Sequence, residues 1–427
     1  MSARWSNGAR GRRSRARAAL GMGALAALAL SPLLALDCAS GLRGAKALDA
    51  STPEGATAAS NAFGFDIYAR IKQDGDNLIC SPFSAAVALN MASAGARGQT
   101  RDEMLSVLHV DPQRAAETHA SFGGLLGALN ARDGTDGVAL HVADRLWGQA
   151  GTGFKPDFLA LLRDSYGAPL ETVDFAHATA AARATINHWV ATQTHDRIPE
   201  ILGDGDLGTT TRLVLTNAVY FKGKWETPFR PEETKPRRFT GVAGAADVPM
   251  MAQQATFAYA RAGDVQLVEL PYAGDLSMVV LLPDGAGDLP ALERKVARSY
   301  ADWLAALRPT EVNLWLPRWT FNSRVDLDGP LQAAGMRLVF RENADLSGTS
   351  NAAQLYIDKV LQEAFVEVNE TGTEAAAATA VDEAELSAFE PTPPPKVFHA
   401  DHPFLYLIRD QKTGVVLFLG RVAGLSG

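Results

Sequence analysis

The segment from Ala364 to Lys396 constrains the fold more than any other part of the chain. It begins "AFVEVNE", which alternates apolar and polar residues as a half-buried strand does. It continues "TGTEAAAATA", where four consecutive alanines would favour helix on propensity alone. It ends "VDEAELSAFEPTPPPK", with four acids and four prolines in sixteen residues, which cannot pack as a helix. A strand therefore runs into residues that are small and, Glu374 apart, uncharged, and then into an exposed proline-rich loop.

The rest of the chain reads as soluble and globular. Of 427 residues, 47% are hydrophobic and 21% charged, enough to bury a large core. The formal charge is −8. Residues 1–38 hold six Arg and one Asp, so the chain beyond them is about −13. That acidity argues against nucleic acid and anionic membrane as partners. The densest basic cluster after residue 38, Lys235–Arg238, is expected to be a solvated turn.

A basic stretch followed by "AALGMGALAALALSPLLAL" has the layout of a signal peptide, with an uncleaved anchor as the alternative. Cys38 stands where a bacterial lipoprotein carries its lipid, although Asp37 fits that motif poorly, and Arg12-Arg13 hints at twin-arginine export. The expected organisation is a signal over 1–38, a linker over 39–56 and one domain over 57–427, exported and monomeric. Cys80 is the only other cysteine and is expected to be a buried, inert thiol.

Helices come first and strands mostly later, which indicates an α+β fold with large mixed sheets. Helical patterning starts near Ala58. Ser81 and Pro82 open another helix, and Thr100 with Glu103 forms a capping box for the next. "RLVLTNAVYFKGKW", "VQLVELPY", "LSMVVLLP" and "EVNLWLPRWTF" read as strands, and "DQKTG" as a hairpin turn. No catalytic constellation or metal set emerges. His399, Asp401 and His402 read as a capped turn rather than a zinc site, and "KTG" lacks the SxxK that a penicillin-binding hydrolase needs.

"SPFSAAVALNMASAGARGQTRDEM", "TNAVYFKGKWETPF", "LYIDKVLQEAFVEVNETGTEAAAAT" and "HPFLYLIRDQKTGVVLFLGRV" together resemble the serpins, over nearly the whole chain after residue 57. The resemblance implies three β-sheets, about nine helices and an exposed reactive loop near 370–395. It implies suicide inhibition of serine proteases, with cysteine proteases as a second class, and no enzyme activity or cofactor. The protease cleaves the loop and is held as an acyl-enzyme while the loop enters the main sheet as a new strand. About fifteen residues at ~3.3 Å each would carry the protease on the order of 50 Å.

Such a strand must slide between packed neighbours, so its inward residues must be small and uncharged. The implied hinge is Glu370, Gly372, Thr373, Glu374, Ala375, Ala376, Ala377, Ala378 and Thr379, with Thr373, Ala375, Ala377 and Thr379 inward. The implied polar cluster under the sheet's opening point is Ser81, Ser84 and Asn217, and Lys222 and Trp225 fall in the motif at its upper end. Gln362 replaces a histidine common in the family and is expected to bond Ser84 and Asn217 without titrating near neutral pH.

The usual family spacing from Glu370 places the cleaved bond at Leu386–Ser387, with Glu385 and Phe389 as alternative reactive residues. Leu386 suits elastase- or chymotrypsin-like enzymes, and no Lys or Arg between Glu370 and Pro395 would suit a trypsin-like one. The competing function is a non-inhibitory serpin acting as a binding protein or chaperone, in which hinge residues tend to be bulky or charged.

Overall fold

A computed structural model describes residues 47–426 apart from 74, 133, 135–137, 352–354 and 374–393. These residues belong to one compact unit, Gly44–Gly427. Eight α-helices occur among them: α1 Pro53–Ile71, α2 Pro82–Ser93, α3 Gly98–Val107, α4 Ala115–Asn130, α5 Pro156–Tyr166, α6 Thr179–Gln193, α7 Leu289–Ala305 and α8 Asp328–Ala334. The strands are β1 Leu78–Cys80, β2 Ala139–Gln149, β3 Glu171–Val173, β4 Leu213–Lys224, β5 Lys235–Gly241, β6 Gly244–Ala262, β7 Val265–Pro271 and β8 Leu276–Pro283. They continue as β9 Arg308–Pro317, β10 Trp319–Asp326, β11 Lys359–Asn369, β12 Gly372–Thr373, β13 Lys396–His399, β14 Phe404–Asp410 and β15 Val416–Val422.

The strands form two hydrogen-bonded sheets where three were expected. One has six strands in the order β10-β11-β12-β4-β2-β3. The other has nine, because the long β6 pairs with β7 through Ala258–Ala262 and with β9 through Met250–Tyr259. That shared strand joins what would otherwise be two smaller sheets.

Local chemistry explains where the first two helices begin. Thr52 caps α1, its Oγ1 accepting from Gly55 N at 3.1 Å, and Pro53 occupies the first helical position. The helix thus starts five residues before Ala58, and Ala50 is buried while Leu48 bridges to Val110. Residues 47–56 are therefore part of the fold and not a linker. Ser81 and Pro82 do open α2, whose twelve residues are all buried. A helix apolar all round belongs inside a core, and α2 lies between the six-stranded sheet and β15.

Two expectations need correction. Helix α3 begins at Gly98 and has no side-chain cap. Thr100 Oγ1 accepts from Asp345 N at 2.9 Å, and Glu103 accepts from Arg337 N and Leu338 N at 2.8 Å each. The capping-box residues therefore bind a neighbouring loop. Lys235–Arg238 is the exposed start of strand β5, paired with β6 from Lys235↔Met250 onward, and not a turn.

The six-stranded sheet separates two cores. On one face lie α2 and the main core. On the other, Ala182, Ile186 and Val190 of α6, spaced four residues apart, meet Ala143, Trp147, Val214, Ala218 and Leu361. Alternation along β2 divides its side chains accordingly, with Leu140 and Leu146 in the main core and Ala143 and Trp147 under α6. Cys80 is buried, its Sγ within 3.4 Å of Leu419 O, and burial pushes its thiol up to about 12.

Candidate functional site: a sheet slot and its hinge

The two central strands of the six-stranded sheet are parallel and only partly joined. Strands β4 and β11 pair from Val214↔Lys359 to Val219↔Ala364. Beyond that point they part, and β12 lies between them. Its Gly372 and Thr373 pair antiparallel with Asn369 and Val368 on one side and with Lys224 and Gly223 on the other. The chain after β11 therefore turns straight back into the sheet that β11 belongs to.

Each residue of that turn has a reason to be what it is. Gly372 has φ +149°, and a Cβ there would lie 2.0 Å from Gly223 O, so only glycine allows the two backbones to meet. Thr373 is fully buried, with its Oγ1 2.6 Å from the hydroxyl of Tyr272. Burial holds that phenol well above its ordinary range, so it remains neutral. Tyr272 stacks on Trp225 at 4.3 Å between ring centroids. Trp225 in turn donates from Nε1 to Asn369 O and from its backbone to Thr371 O, both at 3.0 Å.

Glu370 anchors the base of the turn. It is buried, and its carboxylate accepts from Arg318 Nε at 2.6 Å and Thr234 Oγ1 at 2.5 Å. Its carbonyl accepts from Phe229 N at 2.8 Å. Lys222 stands apart from these contacts. It pairs in register with Ala139 and alternates to the same side of β4 as Tyr220.

A second cluster lies lower down, where β4 and β11 are still joined. Asn217 and Gln362 are register partners, and Gln362 Nε2 donates to Asn217 Oδ1 at 2.6 Å. Gln362 also exchanges two hydrogen bonds with the backbone of Ser81, Nε2 to O at 2.8 Å and N to Oε1 at 2.9 Å. Its expected bond to Ser84 is not made. Ser84 Oγ instead donates to Asp144 Oδ1 at 2.8 Å, and Asn217 Nδ2 donates to both Ser84 Oγ and Asp144 Oδ1. Ser81 Oγ donates to Leu417 O at 2.7 Å.

Sequence reasoning missed Asp144. It sits on β2 in register with Asn217 and is 5% exposed. Burial away from any counter-charge raises its carboxyl to about 8. The signal that could have found it is the inward parity of Leu140, Val142, Asp144 and Leu146, an acid in an otherwise apolar row.

Glu374, Ala375, Ala376, Ala377, Ala378 and Thr379 lie outside the described residues, as do Glu385, Leu386, Ser387, Phe389 and Cys38. The turn of His399, Asp401 and His402 is internally paired. His402 Nδ1 is 2.7 Å and His399 Nδ1 3.4 Å from Asp401, and His402 Nε2 is 2.8 Å from Pro283 O. No helix among the described residues is long and apolar enough to cross a membrane.

A large mixed sheet with a partly parted central pair, and a returning chain lodged in the gap, is the setting in which the comparisons are informative. The sequence model of the family Serpin (serine protease inhibitor) matches residues 58–424. The leukocyte elastase inhibitor of Sus scrofa is 39% identical over 380 residues, covering 86% of this chain and 98% of that protein. Serpin B3 of Homo sapiens is 38% identical over 385 residues, covering 85% and 97%. The crystal structure of uncleaved ovalbumin superimposes with a TM-score of 0.77 at 29% identity, covering 87% of this chain and all of that one. The chain therefore belongs to the serpins, a family of protease inhibitors rather than enzymes.

Proposed function

We propose that this protein is a suicide-substrate inhibitor of serine proteases with apolar primary specificity, elastase- or chymotrypsin-like. The protease serine Oγ attacks the carbonyl carbon of Leu386. An ester forms, the bond to Ser387 nitrogen breaks, and the new amine takes the proton that the protease's own general acid delivers. Water would normally cleave the ester. Entry of the freed loop between β4 and β11 pulls the attached protease away and stalls that step.

The observation that carries this reading is the position of Thr373. It is a small, fully buried residue already paired to both strands, four residues beyond the last pair that joins them directly, Val219↔Ala364. Residues continuing from it need only extend an existing strand. The following residues Ala375, Ala377 and Thr379 are small enough to do so. The apolar specificity rests on Leu386, on the absence of Lys and Arg from Thr371 to Pro395, and on the name of the porcine relative.

The test is incubation with a protease panel, followed by denaturing gels and sequencing of the released C-terminal fragment. The expected outcome is an SDS-resistant complex with elastase- or chymotrypsin-like enzymes, none with trypsin, and a fragment beginning at Ser387. Clean cleavage across the panel without any complex would overturn the inhibitory reading.

A further inference from the structure

Asp144 lies directly under the joined part of the slot, and its environment is one-sided. Its Oδ1 accepts two hydrogen bonds, from Ser84 and Asn217, while its buried Oδ2 has no hydrogen-bond partner. No cation faces it. Helix α2, which packs against it, contains no charged residue. Helix α4, on the same side, brings Glu117, which is exposed, and His119, which is turned to the Tyr166 hydroxyl at 2.8 Å. His141, Arg145 and Lys222 alternate to the opposite face of β2 and β4. Glu363 does the same on β11, next to Gln362. Arg421 of β15 is committed to Glu293 at 3.1 Å.

A carboxylate in such a place is costly, so the closed sheet favours the neutral acid. Asn217 links Asp144 to the slot. Its Oδ1 receives the bond from Gln362 that crosses between β4 and β11, and its Nδ2 serves Ser84 and Asp144. A charge on Asp144 therefore bears on the same amide that ties the two strands together.

We propose that Asp144 is a positioning residue that gates the β4–β11 slot through its protonation. As the neutral acid it keeps the cluster dry and the strands joined. When its proton passes to solvent, the buried charge draws water in and the strands part. This rests on the reading that the loop enters between β4 and β11.

The sign follows from two states. The closed sheet holds the carboxyl at about 8, and an open, wetted slot returns it towards its ordinary 3.8. Below about 4 both states carry the proton and pH has no effect. Between about 4 and about 8, opening releases a proton and is favoured by up to about tenfold per pH unit. Above about 8 both states are ionised and the effect levels off.

The experiment holds the full chain and Asp144→Asn, without protease, at a series of pH values across that window. Aliquots are returned to one neutral pH and titrated for remaining complex formation with a chymotrypsin-like protease. The wild-type rate of loss should climb by more than tenfold across the window and level off above it, while Asp144→Asn stays near the acid-limb rate. Glu363, also raised by burial, is common to both proteins, so the comparison isolates Asp144. Coincident profiles, or a wild-type rate that falls as pH rises, would overturn the gate. Should the variant fold poorly, amide hydrogen exchange of β4 and β11 in the wild type, corrected for intrinsic exchange, must show opening that increases with pH, and a flat result overturns the gate. Fresh protein that forms no complex at any pH defeats the inhibitory reading instead, and the exchange measurement then still decides the gate.

Discussion

Thr373 is where residue chemistry bears most directly on function. It is fully buried, and its Oγ1 meets a neutral Tyr272 hydroxyl. Arginine there would bring a charge into a site whose nearest polar group is that phenol. An unpaired buried charge costs about 3–5 kcal/mol, so Thr373→Arg would keep β12 out of the sheet. The cleavage rate by a chymotrypsin-like enzyme should stay close to wild type while the yield of SDS-resistant complex collapses. Unchanged yield would mean that the inward register assigned to Thr373 is irrelevant to trapping. The family pattern pointed to the turn at Gly372 and Thr373, where a glycine and a small hydroxyl residue after a strand make steric sense, while Glu374 to Thr379 lie outside the described residues. Ser81, Ser84, Asn217 and Gln362 could be grouped through the family pattern, but their pairing could not. Which amide reaches which serine depends on side-chain directions about the α2 N-terminus, and Gln362 in fact takes the Ser81 backbone rather than Ser84. Asp144 was missed because its one sequence signal, an acid in the apolar row of Leu140, Val142 and Leu146, marks a face of β2 but not how deeply that face is buried.

Elements show the same division. Long apolar runs such as β4, β7 and β8 announce themselves because they are buried on both faces. Strand β2 does not, since "ALHVADRLWGQ" places His141, Asp144 and Arg145 within an alternating pattern and looks polar. The nineteen-residue β6 is blurred for a related reason, being exposed at intervals while it serves two partners. Strand β5 opens with exposed Lys235–Arg238, which reads as a turn until its pairing with β6 is seen. Helix α6 has a definite energetic role, since its apolar stripe packs into the second core together with Phe175, Ile198, Ile201 and Leu202. Ile186 is fully buried there. Truncation to alanine removes three carbons from a site bounded by β-strands that cannot collapse into the gap, and such changes cost about 2–5 kcal/mol. Ile186→Ala should therefore lower the thermal midpoint of the intact protein clearly, while an exposed substitution on the same helix, such as Thr192→Ala, should barely move it. Equal effects would mean that α6 does not hold the sheet through this stripe.

At the scale of the whole molecule, the six-stranded sheet is unfinished at its centre. Its ladder joins β4 and β11 up to Val219↔Ala364 and resumes only through the two residues of β12. A strand extending β12 down the slot would pair on both sides, adding ladder bonds worth about 0.5–1.5 kcal/mol each. Ordering that strand costs about 1–2 kcal/mol per residue. Ladder bonds alone therefore do not guarantee a gain, and Ala375, Ala377 and Val381 have little apolar surface to add. A net gain would have to come largely from the surrounding sheet, as β4 and β11 separate and their neighbours repack. Cutting the loop between Ala380 and Phe389 with a protease that is not trapped tests this balance. We expect the two fragments to remain associated and the cut protein to melt far above the intact one. Gln362 makes the outcome informative, because its three hydrogen bonds to Ser81 and Asn217 tie β11 to α2 and β4 in the closed state. If those bonds had already relaxed the sheet, the cut and intact proteins would melt together, the loop would have no reason to insert, and a non-inhibitory role would become the better account of the fold.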